Sequence, residues 1–267
     1  LVPQTMPDPP RAPWESLAGL GMAYNAMIAP LGPYGVRGAV WYQGESDTGE
    51  PDAYRKQLAG LMADWRGQFA RDLPFFVVQL PDYGMPPLKP ADSGWAKLRE
   101  AQREAVAADK NAALVVTIDI GDRYDVHPAN KQEVGRRLAL AARKLVFGEN
   151  VVASGPVAIH AVREGRRIAV HFDDVEKGLV TYSSAEPIGF ELCGKTCSYA
   201  SAEIAHGEIQ LAIPARTTPA WVRYCWADSP ICTLFDGAGL PAAPFDLPIE
   251  TGHKGVAMKP HTRHARR

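Results

Sequence analysis

Ala39-Val40-Trp41-Tyr42 runs directly into Gln43-Gly44-Glu45-Ser46-Asp47, and this stretch decides the architecture. A four-residue apolar run that stops abruptly at polar residues reads as a short buried parallel strand that delivers chemistry at its carboxyl end. Downstream, Tyr54, Leu58, Leu61, Met62 and Trp65 recur at helical spacing, and Phe75 to Leu80 is a second buried strand. A proline-rich loop, residues 81–90, leads to a helix over Trp95–Ala108, a third strand over Ala113–Ile120 and a polar loop over Asp122–Ala129. Asn130 with Glu133 three residues on is a capping-box-like pair that opens another helix, carrying Val134, Leu138 and Leu145. Upstream, five prolines in residues 1–13 mark an extended lead-in, and a helical pattern from Glu15 through Leu17, Leu20, Tyr24 and Ile28 is ended by Pro30.

Strand alternating with helix is the grammar of a doubly wound parallel sheet in the α/β class, whose ligands bind beyond the carboxyl ends of the strands. Past Gly148 the pattern changes to short runs of period two, as in Arg167–Phe172 and Ile209–Ile213, separated by turn residues. The expected division is therefore residues 1–148, a β-rich sandwich over 149–250, and a tail over 251–267 that holds five Lys/Arg and no acid. The 24 glycines and 23 prolines fit many short connections better than a helix bundle.

Lys plus Arg is 29 and Asp plus Glu is 30, so the chain lacks the cationic excess on which phosphate-backbone binding depends. No apolar run approaches the roughly 20 residues of a spanning helix. Neither nucleic acid nor membrane is an expected partner. Cys193, Cys197, Cys225 and Cys232 all lie in the last third, which suggests two disulfides and a secreted, periplasmic or lysosomal history. Pairing within each local couple is one of three connectivities, and the Cys spacings match no tight zinc knuckle.

Two loops carry candidate chemistry. Asp125-Val126-His127-Pro128 follows the third strand, and a His flanked by acids there can act as a general base, with Asp125 holding one ring nitrogen. Asp119 and Asp122 are alternative acids in the same loop. After the first strand, Gln43 offers a side-chain amide and Gly44 a backbone N–H to a developing oxyanion. Trp95, following the flexible turn Asp92-Ser93-Gly94, is a candidate for stacking on a sugar ring, and Asn25 for a substrate contact.

Tyr24–Leu31, Trp41–Asp47 and Asp125–Leu138, together with Arg223–Pro230 and Gly239–Phe245, resemble the sialate O-acetylesterase family of the SGNH-hydrolase superfamily in their order and spacing. The resemblance implies hydrolysis of O-acetyl esters on sugars by a Ser-His-Asp arrangement, with no cofactor and no metal in the reaction, and makes residues 1–148 the carboxyl portion of an esterase domain. It casts His127 as base, Asp125 as acid, and Gln43 and Gly44 as oxyanion and substrate-binding groups. The family's Gly-x-Ser-Asn nucleophile motif does not occur here. Ser46 stands in the Gln43 loop but lacks a strand-to-helix elbow. The serine is therefore expected on an upstream segment, in the same polypeptide or as a separate chain, and the start at Leu1 reads as a processing boundary. The alternatives are an acetylxylan-type esterase and a carbohydrate-binding remnant without turnover.

Overall fold

The structure is a computed structural model and describes Gly21 and residues 24–251. Most of the expected helix over residues 15–28 lies outside the described residues; Tyr24–Ile28 forms one π-helical turn, followed by a 3-10 turn over Ala29–Leu31. Strand β1 (Ala39–Trp41), helix α1 (Pro51–Gln68), β2 (Phe75–Val78), α2 (Gly94–Ala107), β3 (Ala112–Val115) and α3 (Lys131–Leu145) then alternate as expected. All strand pairings are parallel, in the order β1-β2-β3.

The alternation of side chains along β2 explains the layering. Phe75 and Val77 pack against Tyr54, Leu58 and Met62 of α1 and Leu98, Ala101 and Ala105 of α2. Phe76 and Val78 face the other way, against Val134 and Ala141 of α3. One strand of four buried residues thus serves two cores, as in a doubly wound sheet. Strand β1 departs from the expectation of burial on both faces, because Val40 is 55% exposed. Helix α3 packs over β2 and β3, and among the described residues nothing pairs with the outer edge of β1.

The β-rich part runs from β4 (Val157–Glu164) through β5 (Arg167–Asp173), β6 (Leu179–Thr181), β7 (Phe190–Cys193), β8 (Cys197–Tyr199), β9 (Ala202–Ala205), β10 (Glu208–Ala212), β11 (Trp221–Tyr224) and β12 (Leu234–Asp236) to β13 (Phe245–Thr251). Eight of these strands join in one sheet, in the order β8-β7-β11-β13-β4-β5-β10-β9, and β12 pairs with β6 separately. Residues from β7, β11, β13, β4, β5 and β10 share a single core, so the sheet curls around it and its two ends form the layers. Cys193 pairs with Cys197 across the β7–β8 turn, and Cys225 with Cys232 around the loop after β11. Both bonds fit a chain folded in an oxidising compartment.

The loop closed by Cys225 and Cys232 locks the β-rich part to the parallel sheet. Arg99 of α2 is fully buried and donates to the carbonyls of Leu80, Pro81, Ala227 and Asp228. Ser93, the N-cap of α2, accepts from the Ala96 N–H at 2.9 Å and donates to Asp228 Oδ1 at 2.6 Å. The Asp92-Ser93-Gly94 segment is therefore pinned at its centre. The Trp95 ring is tilted 42° against Tyr83 with centres 5.4 Å apart and is partly buried against the helix-side core, so much of its surface is already engaged.

On β7, Phe190 and Leu192 enter the core while Glu191 faces the opposite way beside Arg223. Arg223 is engaged by Asp246 at 3.0 Å, and the Glu191 carboxyl has a buried oxygen without a partner among the described residues. Burial pushes this carboxyl up to about 7, the nearby Arg223 opposing the rise. In an unfolded chain the same group ionises near 4.3, so the folded state holds a proton that the unfolded state gives up between these values. Stability is thus greatest below about pH 4 as far as this group is concerned, and falls as pH rises toward 7. Glu191→Gln is expected to flatten that part of the stability curve, measured by urea denaturation at a series of pH values; an unchanged slope would show that Glu191 is not the group responsible.

Candidate active site

All three parallel strands end on the same side, and each end contributes polar residues. After β1 the chain turns at Gly44, whose φ of +149° and close approach to Leu98 demand glycine: a Cβ there would lie 2.5 Å from Leu98 Cδ2. The Gln43 carbonyl accepts from Tyr54 Oη at 2.8 Å and Gln102 Nε2 at 3.2 Å, and Gln102 Oε1 accepts from the Leu80 N–H at 3.0 Å. Groups from β1, α1, α2 and the end of β2 therefore fix this corner before any ligand arrives.

The two N–H donors at the corner each hold a carboxylate. Gln43 Nε2 donates to Asp47 Oδ2 at 2.6 Å, and the Gly44 N–H donates to Glu45 Oε2 at 2.9 Å. The sequence reading treats both as free donors; the structure has them engaged by the 3-10 turn Glu45–Asp47 that follows. A side-chain amide keeps a second hydrogen, so Gln43 retains donor capacity, whereas Glu45 must swing aside before the Gly44 N–H is available. Ser46 is exposed on the same turn and makes no side-chain hydrogen bond among the described residues.

After β3 the polar loop separates its three aspartates by environment. Asp119 forms a two-pronged ion pair with the buried Arg137 of α3, at 2.6 and 2.7 Å, and so acts as a strut. Asp122 Oδ1 accepts from the Tyr124 N–H and Asp125 Oδ1 from the His127 N–H, each at 2.8 Å, in two successive Asx turns. Asp125 thus meets His127 through the backbone, and both residues are exposed. Asn130 caps α3 as expected, accepting from the Glu133 N–H, but Glu133 does not reciprocate; its carboxylate is taken by Arg136 and Arg137, which hold it down at about 2.

The loops are joined to one another. Lys131, four residues beyond His127, places its Nζ 4.8 Å from the centre of the Tyr42 ring, which links the His127 loop to the end of β1. Burial, helped by Glu45, pushes the Tyr42 hydroxyl up to about 12, so it stays protonated. Asp82, after β2, accepts from the Gly121 N–H at 3.0 Å and from Ser229 Oγ at 3.3 Å, and burial raises its carboxyl above the usual range. Sequence reasoning missed Asp82 because it stands in a proline-rich stretch that reads as a connection; its position just past a buried strand was the available signal. Asn25 is exposed on its π-helical turn.

The carboxyl ends of the parallel strands thus carry N–H donors at Gln43 and Gly44 and an exposed imidazole at His127. Residues 12–144 match the family model for "Carbohydrate esterase, sialic acid-specific acetylesterase". The chain is 31% identical over 300 residues to a sialate O-acetylesterase of Pongo abelii, covering 95% of this chain and 55% of that protein. It is 29% identical to the Mus musculus enzyme of the same name, over 87% of this chain and 48% of the relative. A carbohydrate acetylesterase from Xanthomonas citri superposes with a TM-score of 0.76 at 36% identity, over 84% of this chain and 53% of that one. The chain spans about half the length of the relatives it matches. On the family match, the relatives and the fold, the chain belongs to the sialic acid-specific acetylesterase family of carbohydrate esterases.

Proposed function

We propose that this protein takes part in hydrolysing O-acetyl esters on sugars, with acetylated sialic acid as the substrate class. The observation that carries the reading is the corner at the end of β1, where the Gln43 amide and the Gly44 N–H already hold carboxylate oxygens at 2.6 and 2.9 Å. Donors arranged for a negative oxygen serve a tetrahedral acyl intermediate in the same way. In this reading His127 removes the proton of a serine hydroxyl as that oxygen attacks the acetyl carbonyl, and the displaced sugar oxygen takes the proton back. Water then repeats the cycle and releases acetate. Asp125, whose second oxygen has no partner among the described residues, orients the ring.

The serine comes from polypeptide outside these 267 residues. Two observations support this: no Gly-x-Ser-Asn motif occurs in the chain, and among the described residues β1 has no partner on its outer edge, where Val40 is half-exposed. A secreted, periplasmic or lysosomal location is consistent with the two disulfides. Acetate release from O-acetylated sialic acid and from acetylated xylan, measured for the full polypeptide and for this chain alone, tests the reading. Turnover of the sialic acid by the full polypeptide only is the expected result. Turnover of xylan alone would move the substrate class, and turnover of neither would leave a sugar-binding role.

A further inference from the structure

The loop that carries His127 is held by hydrogen bonds more than by burial: of residues 121–129 only Pro128 is buried. Its internal turns are stiff. The Asp125 N–H donates to the Asp122 carbonyl at 3.3 Å, and the Asx turns at Asp122 and Asp125 fix the N–H groups of Tyr124 and His127. The backbone from Asp122 to His127 is thus tied into one piece, and its place depends on what holds its start. Asp82 Oδ1 accepts from the Gly121 N–H at 3.0 Å, and two residues on the Gly84 N–H donates to the Arg123 carbonyl at 3.1 Å. Gly121 admits this approach because it lacks a Cβ; one there would collide with the carbonyl and carboxylate oxygens of Asp82.

The second carboxylate oxygen of Asp82 leads to the β-rich part. Asp82 Oδ2 accepts from Ser229 Oγ at 3.3 Å, and the neighbouring Tyr83 N–H donates to the Asp228 carbonyl at 3.1 Å. Ser229 is buried and lies within the loop closed by Cys225 and Cys232. Arg99 grips both sides of this contact, through the carbonyls of Leu80 and Pro81 on one and of Ala227 and Asp228 on the other. An unbroken path of hydrogen bonds therefore runs from the disulfide-closed loop through Asp82 to Gly121, and along the turns to His127.

We propose, on the esterase reading above, that Asp82 is a positioning residue through which the Cys225–Cys232 loop sets the place of His127 relative to the Gln43 corner. Satisfying the Gly121 N–H takes one carboxylate oxygen and leaves the other, bonded to Ser229, unexplained; a tether between the two parts uses both. A displacement of about 1 Å at a reacting group can cost about 10²-fold in rate, so a tether that never touches substrate is enough to govern turnover. The imidazole acts on the transition state, so slackening its loop lowers kcat and spares KM.

Acetate release by the full polypeptide tests the tether, together with the imidazole C–H resonances of His127 in the same polypeptide carrying labelled histidine. Asp82→Ala should lower kcat by about 10²-fold and Ser229→Ala by about tenfold, each with KM within roughly twofold and with the His127 resonances shifted. Asp82→Asn should keep kcat within about threefold, because its amide oxygen still accepts from Gly121 and its amide N–H still reaches Ser229. Ser154→Ala, which removes an exposed hydroxyl bonded to Asp174, should leave kcat and the His127 resonances unchanged. Ser229→Ala deletes a single hydroxyl and decides the matter even if Asp82→Ala fails to fold. Unchanged kcat and unchanged His127 resonances in Ser229→Ala overturn the proposal, and so does an Asp82→Asn enzyme as slow as Asp82→Ala, which would make the charge of Asp82 the essential feature. In either case a His127→Ala enzyme that has lost turnover keeps the esterase reading standing, whereas undiminished turnover in His127→Ala overturns both.

Discussion

Replacing His127 by Ala in the full polypeptide is expected to lower kcat for acetate release by about 10³-fold, with KM changed little, because a general base acts on the transition state and contributes little to ground-state binding. Folding should be unaffected: the residue is exposed, and its one described hydrogen bond, from the backbone N–H to Asp125, survives the substitution. The proposed acid is tested in the same loop. Asp125→Asn should reduce kcat strongly, Asp122→Asn much less, since each aspartate makes a similar turn-forming bond but only Asp125 does so with His127 itself. Steady-state kinetics of the three variants check this, and a His127→Ala enzyme with undiminished kcat would remove the base from the mechanism.

The second large effect is expected at Arg99. Its guanidinium lies fully inside the protein and donates to four backbone carbonyls, two at the end of β2 and two in the loop closed by Cys225 and Cys232. Burial lowers its basicity to about 10, opposed by Asp82 and Asp228, so it remains charged at neutral pH. Arg99→Met keeps much of the volume but strands the carbonyls without donors. An unsatisfied buried polar group costs about 1–3 kcal/mol, and partial relief by entering water leaves an expected loss of about 3–5 kcal/mol. Arg99→Lys should recover little of it, because one ammonium cannot reach four acceptors arranged for a fork. Urea unfolding measures the effect, and a loss below about 1 kcal/mol would mean that the two parts of the molecule are held by other contacts.

The difference between local and distant causes explains which features could be read in advance. The alternation of β1, α1, β2, α2, β3 and α3, the Asn130 cap and the change of pattern after Gly148 follow from residues a few positions apart, whose periods of 3.6 and 2 are set by backbone geometry. Ser93 reads as part of a flexible turn because its anchoring partner, Asp228, is 135 positions away. Arg99 reads as one more polar residue on a helix because two of its four carbonyls come from the other end of the chain.

In the candidate site, the residue types, the strand ends that carry them and the family that uses them are all legible along the chain. Folding adds that Asp119 is spent on Arg137, that Glu45 and Asp47 sit on the Gly44 and Gln43 donors, and that His160, His171 and Glu208 share one row of the large sheet. Spacing along a chain limits which groups can meet within a turn. Which groups meet across strands depends on register, and register is set by the burial of whole faces rather than by any short motif.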